Sequence, residues 1–74
     1  MSRYVWEEMP RVFPEQKMWG GGDDEWKFVI TEVNGRYSCS VKRGYTYVLK
    51  EYAKYGTLED AKAACEQRAE RQQR

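Results

Sequence analysis

The sequence of 74 residues contains no histidine and only two cysteines. Without histidine, it lacks the side chain that most often transfers protons near neutral pH. Two cysteines without histidine also fall short of the three or four protein ligands that zinc sites use. We therefore predict that the protein binds no metal or cofactor and is not an enzyme.

Long apolar stretches are also absent. No run approaches the length of about 18 apolar residues that indicates a membrane-spanning helix, and the first ten residues lack the apolar segment of a secretory signal. We therefore expect a cytoplasmic protein that does not bind membranes. In that compartment Cys39 and Cys65 are expected to be reduced thiols, buried in one core.

Aliphatic side chains are scarce, with six valines, two leucines and one isoleucine, whereas aromatic residues make up 15% of the chain. Disordered chains are poor in aromatic residues and carry a high net charge, and this chain carries a net charge of only +1. We therefore predict one folded domain with an aromatic core. The core of a domain this small supplies a net stability of roughly 3–5 kcal/mol.

The net charge hides an uneven distribution along the chain. Residues 1–25 contain three basic and six acidic residues, residues 26–56 contain six basic and two acidic ones, and residues 57–74 contain four of each. The basic middle segment points to an anionic partner, although it is less concentrated than the basic stripe of a typical nucleic-acid-binding domain.

Asn34-Gly35 is the strongest turn signal, because a type I′ hairpin turn needs positive φ at both central residues. It separates two stretches with alternating apolar and polar residues, predicted as strands at 26–33 and 36–41. With Val33 opposite Arg36, a two-residue turn brings the apolar residues of both stretches to one face. This agreement predicts an antiparallel hairpin.

A third strand is predicted from Tyr45 to about Tyr52. A three-residue loop over 42–44, with Gly44 in the left-handed conformation, would pair Val41 with Tyr45 and keep apolar side chains on the inner face. The inner face of the sheet is then predicted to consist of Phe28, Ile30, Cys39, Val41, Tyr47 and Leu49.

A helix is predicted after Thr57, which is a good N-cap. Glu59 and Asp60 lie in its first turn, where the helix dipole favours anions. Apolar residues then recur at helical spacing in a narrow stripe: Leu58, Ala61, Ala64, Cys65 and Ala69. We expect this stripe to pack against the sheet and the helix to fray beyond about Arg71.

The N-terminal segment is the least regular part of the chain. Residues 3–9 alternate like an edge strand, and Pro10 and Pro14 exclude a continuous helix or central strand across them. The run Gly20–Gly22 is typical of a flexible link.

The predicted fold is α+β, with a three-stranded antiparallel meander and one C-terminal helix packed on one face. We divide the single domain 1–74 into an N-terminal arm or edge strand with its glycine link, residues 1–22, and a β-β-β-α core, residues 23–74. The arm is expected either to add a fourth strand or to cover an edge of the sheet.

Aromatic residues exceed what so small a core can bury, and tyrosine and tryptophan are enriched at binding hot spots. We predict a partner-binding patch that consists of Trp19, Tyr52, Tyr55, Arg36 and Lys50. In the predicted register Arg36 lies opposite Lys50, and like charges in direct opposition destabilise a sheet. Either an anionic partner or the acids Glu7 and Glu8 would then compensate this pair.

A second group of basic residues is predicted as an anion-binding site: Lys27, Lys42 and Arg43. The acidic run 23–25 lies at the same end of the sheet in the predicted register. It offers the alternative that these opposite charges neutralise each other.

Three short strands followed by a helix that begins Thr57-Leu58-Glu59-Asp60 resemble the latter half of a double-stranded-RNA-binding domain. That family places lysines of this helix turn on phosphates, and because this turn is acidic here, we do not carry the function over. The Trp/Tyr-rich strands, the Asn-Gly turn and the helix at 58–66 are also similar to small phage and prophage accessory proteins, among them anti-CRISPR inhibitors. This resemblance implies a protein that inhibits a host complex by stoichiometric binding.

The sequence thus leads to two functional hypotheses. The first is a non-catalytic protein-binding inhibitor, which the phage resemblance places in the host cytoplasm against a host defence complex. One sheet face and the arm could supply the roughly 800 Å² per partner of a standard interface. The alternative is a small nucleic-acid-binding protein with a basic sheet face. A homodimer that pairs open sheet edges is compatible with both.

Overall fold

The computed structural model describes residues 4–9 and 16–72, which form five strands and one helix. In chain order the elements are β1 (Val5–Glu8), β2 (Met18–Gly22), β3 (Trp26–Val33), β4 (Arg36–Arg43), β5 (Thr46–Tyr55) and α1 (Leu58–Gln72). The strands form one antiparallel sheet in the order β1-β2-β3-β4-β5, and α1 packs on one face against β4, β5 and β3. The predicted α+β class is confirmed, with five strands instead of three and an optional fourth.

The hairpin of β3 and β4 has the predicted register. Val33 lies opposite Arg36 and Phe28 opposite Val41. Asn34 and Gly35 have φ angles of 51° and 81°, as a type I′ turn requires. The turn chemistry and the apolar alternation of this segment agree, and together they specify the pairing.

The core lies between this hairpin and the helix. Its fully buried residues come from both layers: Trp26, Phe28, Ile30, Cys39, Val41, Ala61, Cys65 and Ala69. Aromatic rings of the N-terminal segment extend it, because the ring centroids of Tyr4 and Trp6 lie 4.8 and 5.3 Å from that of Phe28. Both cysteines are free and buried, as predicted.

The glycine run is part of a strand, so the prediction of a flexible link over Gly20–Gly22 was wrong. A Cβ on Gly21 would lie 2.8 Å from the Trp6 ring, and one on Gly22 would lie 2.0 Å from the Trp26 carbonyl oxygen. Two neighbouring strands approach these positions so closely that only glycine fits. The arm therefore adds two strands, while Pro10 and Pro14 lie outside the described residues.

The turn between β4 and β5 differs from the prediction. Arg43 lies opposite Thr46, so the loop has two residues, Gly44 and Tyr45, and Val41 lies opposite Leu49 instead of Tyr45. Between the pairs Lys42–Tyr47 and Val41–Leu49, β5 contains one extra residue, which forms a β-bulge. This bulge turns Leu49 to the inner face, as the predicted longer loop would have done. Leu49 still faces the helix.

The predicted inner position of Tyr47 was therefore wrong. Tyr47 lies opposite Lys42 instead of Cys39, and its side chain is 52% exposed. Glu51 takes the position opposite Cys39 that was predicted for Tyr47.

The helix begins as predicted. The Asp60 amide donates a hydrogen bond to Thr57 Oγ1 (3.1 Å), which confirms Thr57 as the N-cap. The helix extends to Gln72, one residue beyond the expected start of fraying, and residues 73–74 lie outside the described part of the chain. No helix in the described ranges is long and apolar enough to cross a membrane.

Candidate functional site

The face of the sheet opposite α1 has no helix packed on it among the described residues. Side chains alternate along a strand, so the neighbours of the core residues Phe28 and Ile30 point to this side. We call it the open face. In β3 and β4 it is formed by Lys27, Val29, Thr31, Val33, Arg36, Ser38, Ser40 and Lys42.

Three lysines and one tyrosine lie close together on the open face. Lys42 lies opposite Lys27 in β3 and opposite Tyr47 in β5. The Nζ atoms of Lys42 and Lys50 lie 5.1 and 5.0 Å from the centroid of the Tyr47 ring. We call Lys27, Lys42, Tyr47 and Lys50 the lysine cluster. It combines a half-exposed aromatic ring with three positive charges.

The charge of the lysine cluster is uncompensated within the described residues, since no carboxylate there forms an ion pair with its lysines. Lys27 and Lys42 are in direct opposition, which destabilises the sheet. Contacts with the face of an exposed ring offset only about 0.5–1 kcal/mol each. Glu7, the acid that β1 contributes to this face, lies two strands away from the Lys27 strand. A bound anion would relieve the repulsion.

Arg36 does not lie opposite Lys50, so that predicted like-charge pair was wrong. Lys50 pairs with Ser40, whereas Arg36 donates hydrogen bonds from Nε to the Ala53 carbonyl oxygen (2.7 Å) and from a terminal nitrogen to the Lys54 carbonyl oxygen (2.9 Å). These bonds hold an irregular segment of β5 in place.

Ser38 completes this arrangement, because its hydroxyl oxygen accepts a hydrogen bond from the Ala53 amide (2.7 Å). Ala53 has a φ of 48°, a left-handed conformation that costs energy for a residue with a Cβ. The neighbouring Tyr52 is 78% exposed. Arg36 is thus a structural support for the segment that presents Tyr52.

Arg43 is neutralised by its own chain. Its guanidinium forms an ion pair with Glu25 and lies 5.4 Å from the centroid of the Trp26 ring. The self-neutralisation predicted for the acidic run is therefore confirmed for Arg43. Lys42 is on the opposite face, with Lys27, and remains available to an anion.

Two of the predicted partner-binding aromatic residues are on the helix side of the sheet. The Trp19 ring packs 5.8 Å from the Tyr37 ring and borders the core. Tyr55 also borders the core, and its hydroxyl donates a 2.5 Å hydrogen bond to Glu51. The fold thus brings Lys27, Lys42 and Lys50 together, but it separates them from Trp19 and Tyr55.

Sequence reasoning missed two features of this site. Tyr47 was assigned to the core through the predicted three-residue loop over 42–44, whereas the structure has a two-residue loop followed by a bulge that has no local signal. The opposition of Lys27 and Lys42, by contrast, follows directly from the register in which Val33 faces Arg36. That signal was available in the sequence.

Glu51 is the centre of a small polar network at the helix side of β5. Its carboxylate forms an ion pair with Lys54 and accepts hydrogen bonds from the Tyr55 hydroxyl and from the Cys39 thiol (3.7 Å). The hydrogen bonds from Lys54 and Tyr55 lower the pKa of Glu51 below its ordinary value. Burial and the hydrogen bond to Glu51 raise the pKa of Tyr55. Glu51 is therefore a charged hydrogen-bond acceptor at neutral pH.

We expect Glu51→Gln to reduce the stability at pH 7 by roughly 1 kcal/mol, since it removes charge-assisted hydrogen bonds. A carboxyl group whose pKa is lowered on folding stabilises the fold above its ordinary value of 4.5, and this contribution disappears as the pH falls further. The variant should therefore lose less stability than the parent below pH 4.5. Urea unfolding across pH 3–7 measures this, with the exposed Glu70→Gln as control. If the free energy of unfolding fell equally with decreasing pH in the parent and in E51Q, the prediction would be contradicted.

The two thiols are enclosed in the core, and a hydrogen bond from Cys65 lowers the pKa of the Cys39 thiol below its ordinary value. Cys39 and Cys65 are fully buried, and the hydrogen bond with Cys39, together with burial, raises the pKa of the Cys65 thiol. Within the described ranges, no group of three potential ligands could hold a metal ion.

Comparisons of this chain with protein-family models, with curated proteins and with solved structures give no significant match.

Proposed function

We propose that the protein is a non-catalytic module that binds single-stranded nucleic acid on its open face. The observation that carries this proposal is the lysine cluster, in which three lysines have no described acidic partner. Two of them, Lys42 and Lys50, contact the half-exposed Tyr47 ring, and Lys27 lies opposite Lys42. Proteins that bind single strands combine positive charge along the backbone with aromatic rings on which bases stack.

The arrangement of the cluster suits this ligand. Lys27, Lys42 and Tyr47 form a row across three adjacent strands, which spans roughly 10 Å at the spacing of strands in a sheet. Tyr45, at the tip of the neighbouring turn, is 99% exposed. Lysines in such a row can contact successive phosphates, while the exposed rings accept splayed bases. Bases of a duplex are stacked on each other and are not available for such contacts.

The salt dependence of binding tests this proposal. We expect a fluorescein-labelled oligothymidylate or oligouridylate of 12 nucleotides to bind at 50 mM salt. Three phosphate contacts predict a slope of log K against log salt of about −2, which weakens binding about 20-fold between 50 and 200 mM. Fluorescence anisotropy measures the affinity, with a duplex of the same length as the comparison. Absence of binding at 50 mM salt, or binding that does not change with salt, would contradict the proposal.

A second candidate function is the stoichiometric inhibition of a host protein complex, for example a defence complex that a phage protein encounters in the host cytoplasm. The observation in its favour is Tyr52, which is 78% exposed on a β5 segment that Arg36 and Ser38 hold in place. Rigidly held tyrosines are typical anchors of protein interfaces. The salt titration separates the candidates, because this function requires no affinity for an oligonucleotide.

A further inference from the structure

A cleft of about 160 Å³ lies on the other side of β5, between this strand and α1. Leu49 and Ala64 supply its apolar floor, and Lys54, Gln67, Arg68 and Arg71 surround it. This cleft belongs to the helix side of the sheet and is therefore separate from the open face. Its cationic side chains come from two different elements of the fold.

The guanidinium groups of Arg68 and Arg71 form no hydrogen bond or ion pair with any described residue. Arg68 is half-buried and Arg71 is exposed. The acid in the cleft, Glu51, is already occupied by Lys54 and the Tyr55 hydroxyl. The cleft therefore keeps two unpaired guanidinium groups, and a guanidinium matches the geometry of a carboxylate with two parallel hydrogen bonds.

The second feature of the cleft is the sheet edge that borders it. β5 is the last strand in the sheet order, so one side of its backbone has no strand partner within the described part of the chain. Edge strands with free backbone groups can add an extended peptide as a further strand. Alternate side chains of such a peptide would point to the helix side of the sheet, where the arginines are.

We propose that the cleft between β5 and α1 binds an acidic extended segment of a partner protein, which pairs with β5 and places carboxylates on Arg68 and Arg71. A second copy of the chain docking through its own β5 is disfavoured, because Lys50, Lys54 and both arginines would then meet their counterparts. A nucleic acid would supply the negative charge but not the backbone donors and acceptors that match a strand edge. This proposal is independent of the function assigned to the open face.

The test is a titration of the ¹⁵N-labelled full chain with a capped seven-residue peptide that alternates valine and glutamate. We expect saturable shifts of the amide signals of residues 48–52 and 64–71. The same peptide with lysine in place of glutamate should cause none. Arg68→Gln should weaken binding about tenfold, since it removes a charge-assisted contact. Lys62→Gln removes the same charge from the opposite flank of α1, near Trp6, and should bind like the parent.

Four results would overturn the proposal. The first is that the shifts are confined to the lysine cluster. The second is that Arg68→Gln binds as tightly as the parent while it retains its helical circular dichroism. The third is that inorganic phosphate causes the same shifts at the same concentration as the peptide, which would indicate a site for small anions. The fourth is that the same shifts develop when the protein concentration alone is raised, which would indicate self-association. A triple variant of the cluster lysines, Lys27, Lys42 and Lys50, should keep its affinity for the peptide, so the failure of one proposal is distinguishable from failure of the other.

Discussion

Gly22→Ala is expected to destabilise the protein by about 3 kcal/mol or more, enough to leave much of the chain unfolded at 25 °C. A Cβ at this position would lie 2.0 Å from the carbonyl oxygen of Trp26 and 2.9 Å from its carbonyl carbon. Both are backbone atoms of the adjacent strand, so relief requires that β2 and β3 separate. The φ of 122° adds strain, because residues with a Cβ rarely adopt it. A small domain with roughly 3–5 kcal/mol of stability cannot absorb this cost.

Two other glycines provide matched controls for this experiment. Gly56 has no atom within 4 Å of a built Cβ and no positive φ, so Gly56→Ala should change the stability by less than about 1 kcal/mol. Gly44 also faces open space but has a φ of 64°, so Gly44→Ala should cost about 1–2 kcal/mol from conformation alone. Urea unfolding followed by tryptophan fluorescence measures the series. If Gly22→Ala were as stable as Gly56→Ala, the close packing of β2 on β3 would be wrong.

The second large effect is expected from the lysine cluster. Replacement of Lys27, Lys42 and Lys50 by glutamine should weaken oligonucleotide binding on the order of 100-fold at 50 mM salt, because the counterion-release contribution of three phosphate contacts disappears. The remaining affinity should be almost independent of salt. The fold should be intact or slightly more stable, since Lys27 and Lys42 no longer repel each other. The measurement is fluorescence anisotropy at several salt concentrations, with thermal unfolding in parallel.

A charge-matched variant shows whether position or net charge matters. Replacement of Lys62, Arg68 and Arg71 by glutamine removes three positive charges from α1, on the side of the sheet away from the cluster. We expect this variant to bind the oligonucleotide within a few-fold of the parent. Equal losses in both triple variants would mean that the attraction depends on net charge, and that the cluster is not a site.

The part of the fold that the sequence predicts correctly is local. The register of β3 and β4 follows from a two-residue turn and from alternating apolar residues only a few positions away. The start of α1 follows from Thr57, whose hydroxyl accepts a hydrogen bond from the amide of Asp60, only three residues away. In both places each interacting group is close in sequence, so propensity, pattern and turn chemistry act on the same few residues.

The candidate site was only half predictable for the same reason. Lys27, Lys42 and Lys50 were recognised as basic residues that favour an anionic partner, but they were divided between two groups. Lys27 and Lys42 meet through the predicted register, but the position of Lys50 and Tyr47 beside them depends on the two-residue loop and the bulge of β5. Arg36 was assigned to the partner surface, yet it binds carbonyl groups 17 and 18 residues further along the chain. No local pattern encodes such a contact.

The sequence by itself thus determined a small α+β domain, an aromatic core, one hairpin with its register, and a capped helix. Only the tertiary structure decided that the glycine run is a strand. The glycines are needed there because Trp6 and Trp26 approach closely from the strands on either side. It also decided which basic residues are paired within the chain: Glu25 neutralises Arg43, backbone carbonyl groups hold Arg36, and the three lysines of the open face have no described acidic partner. These outcomes depend on which distant groups meet, and packing of the whole chain sets that.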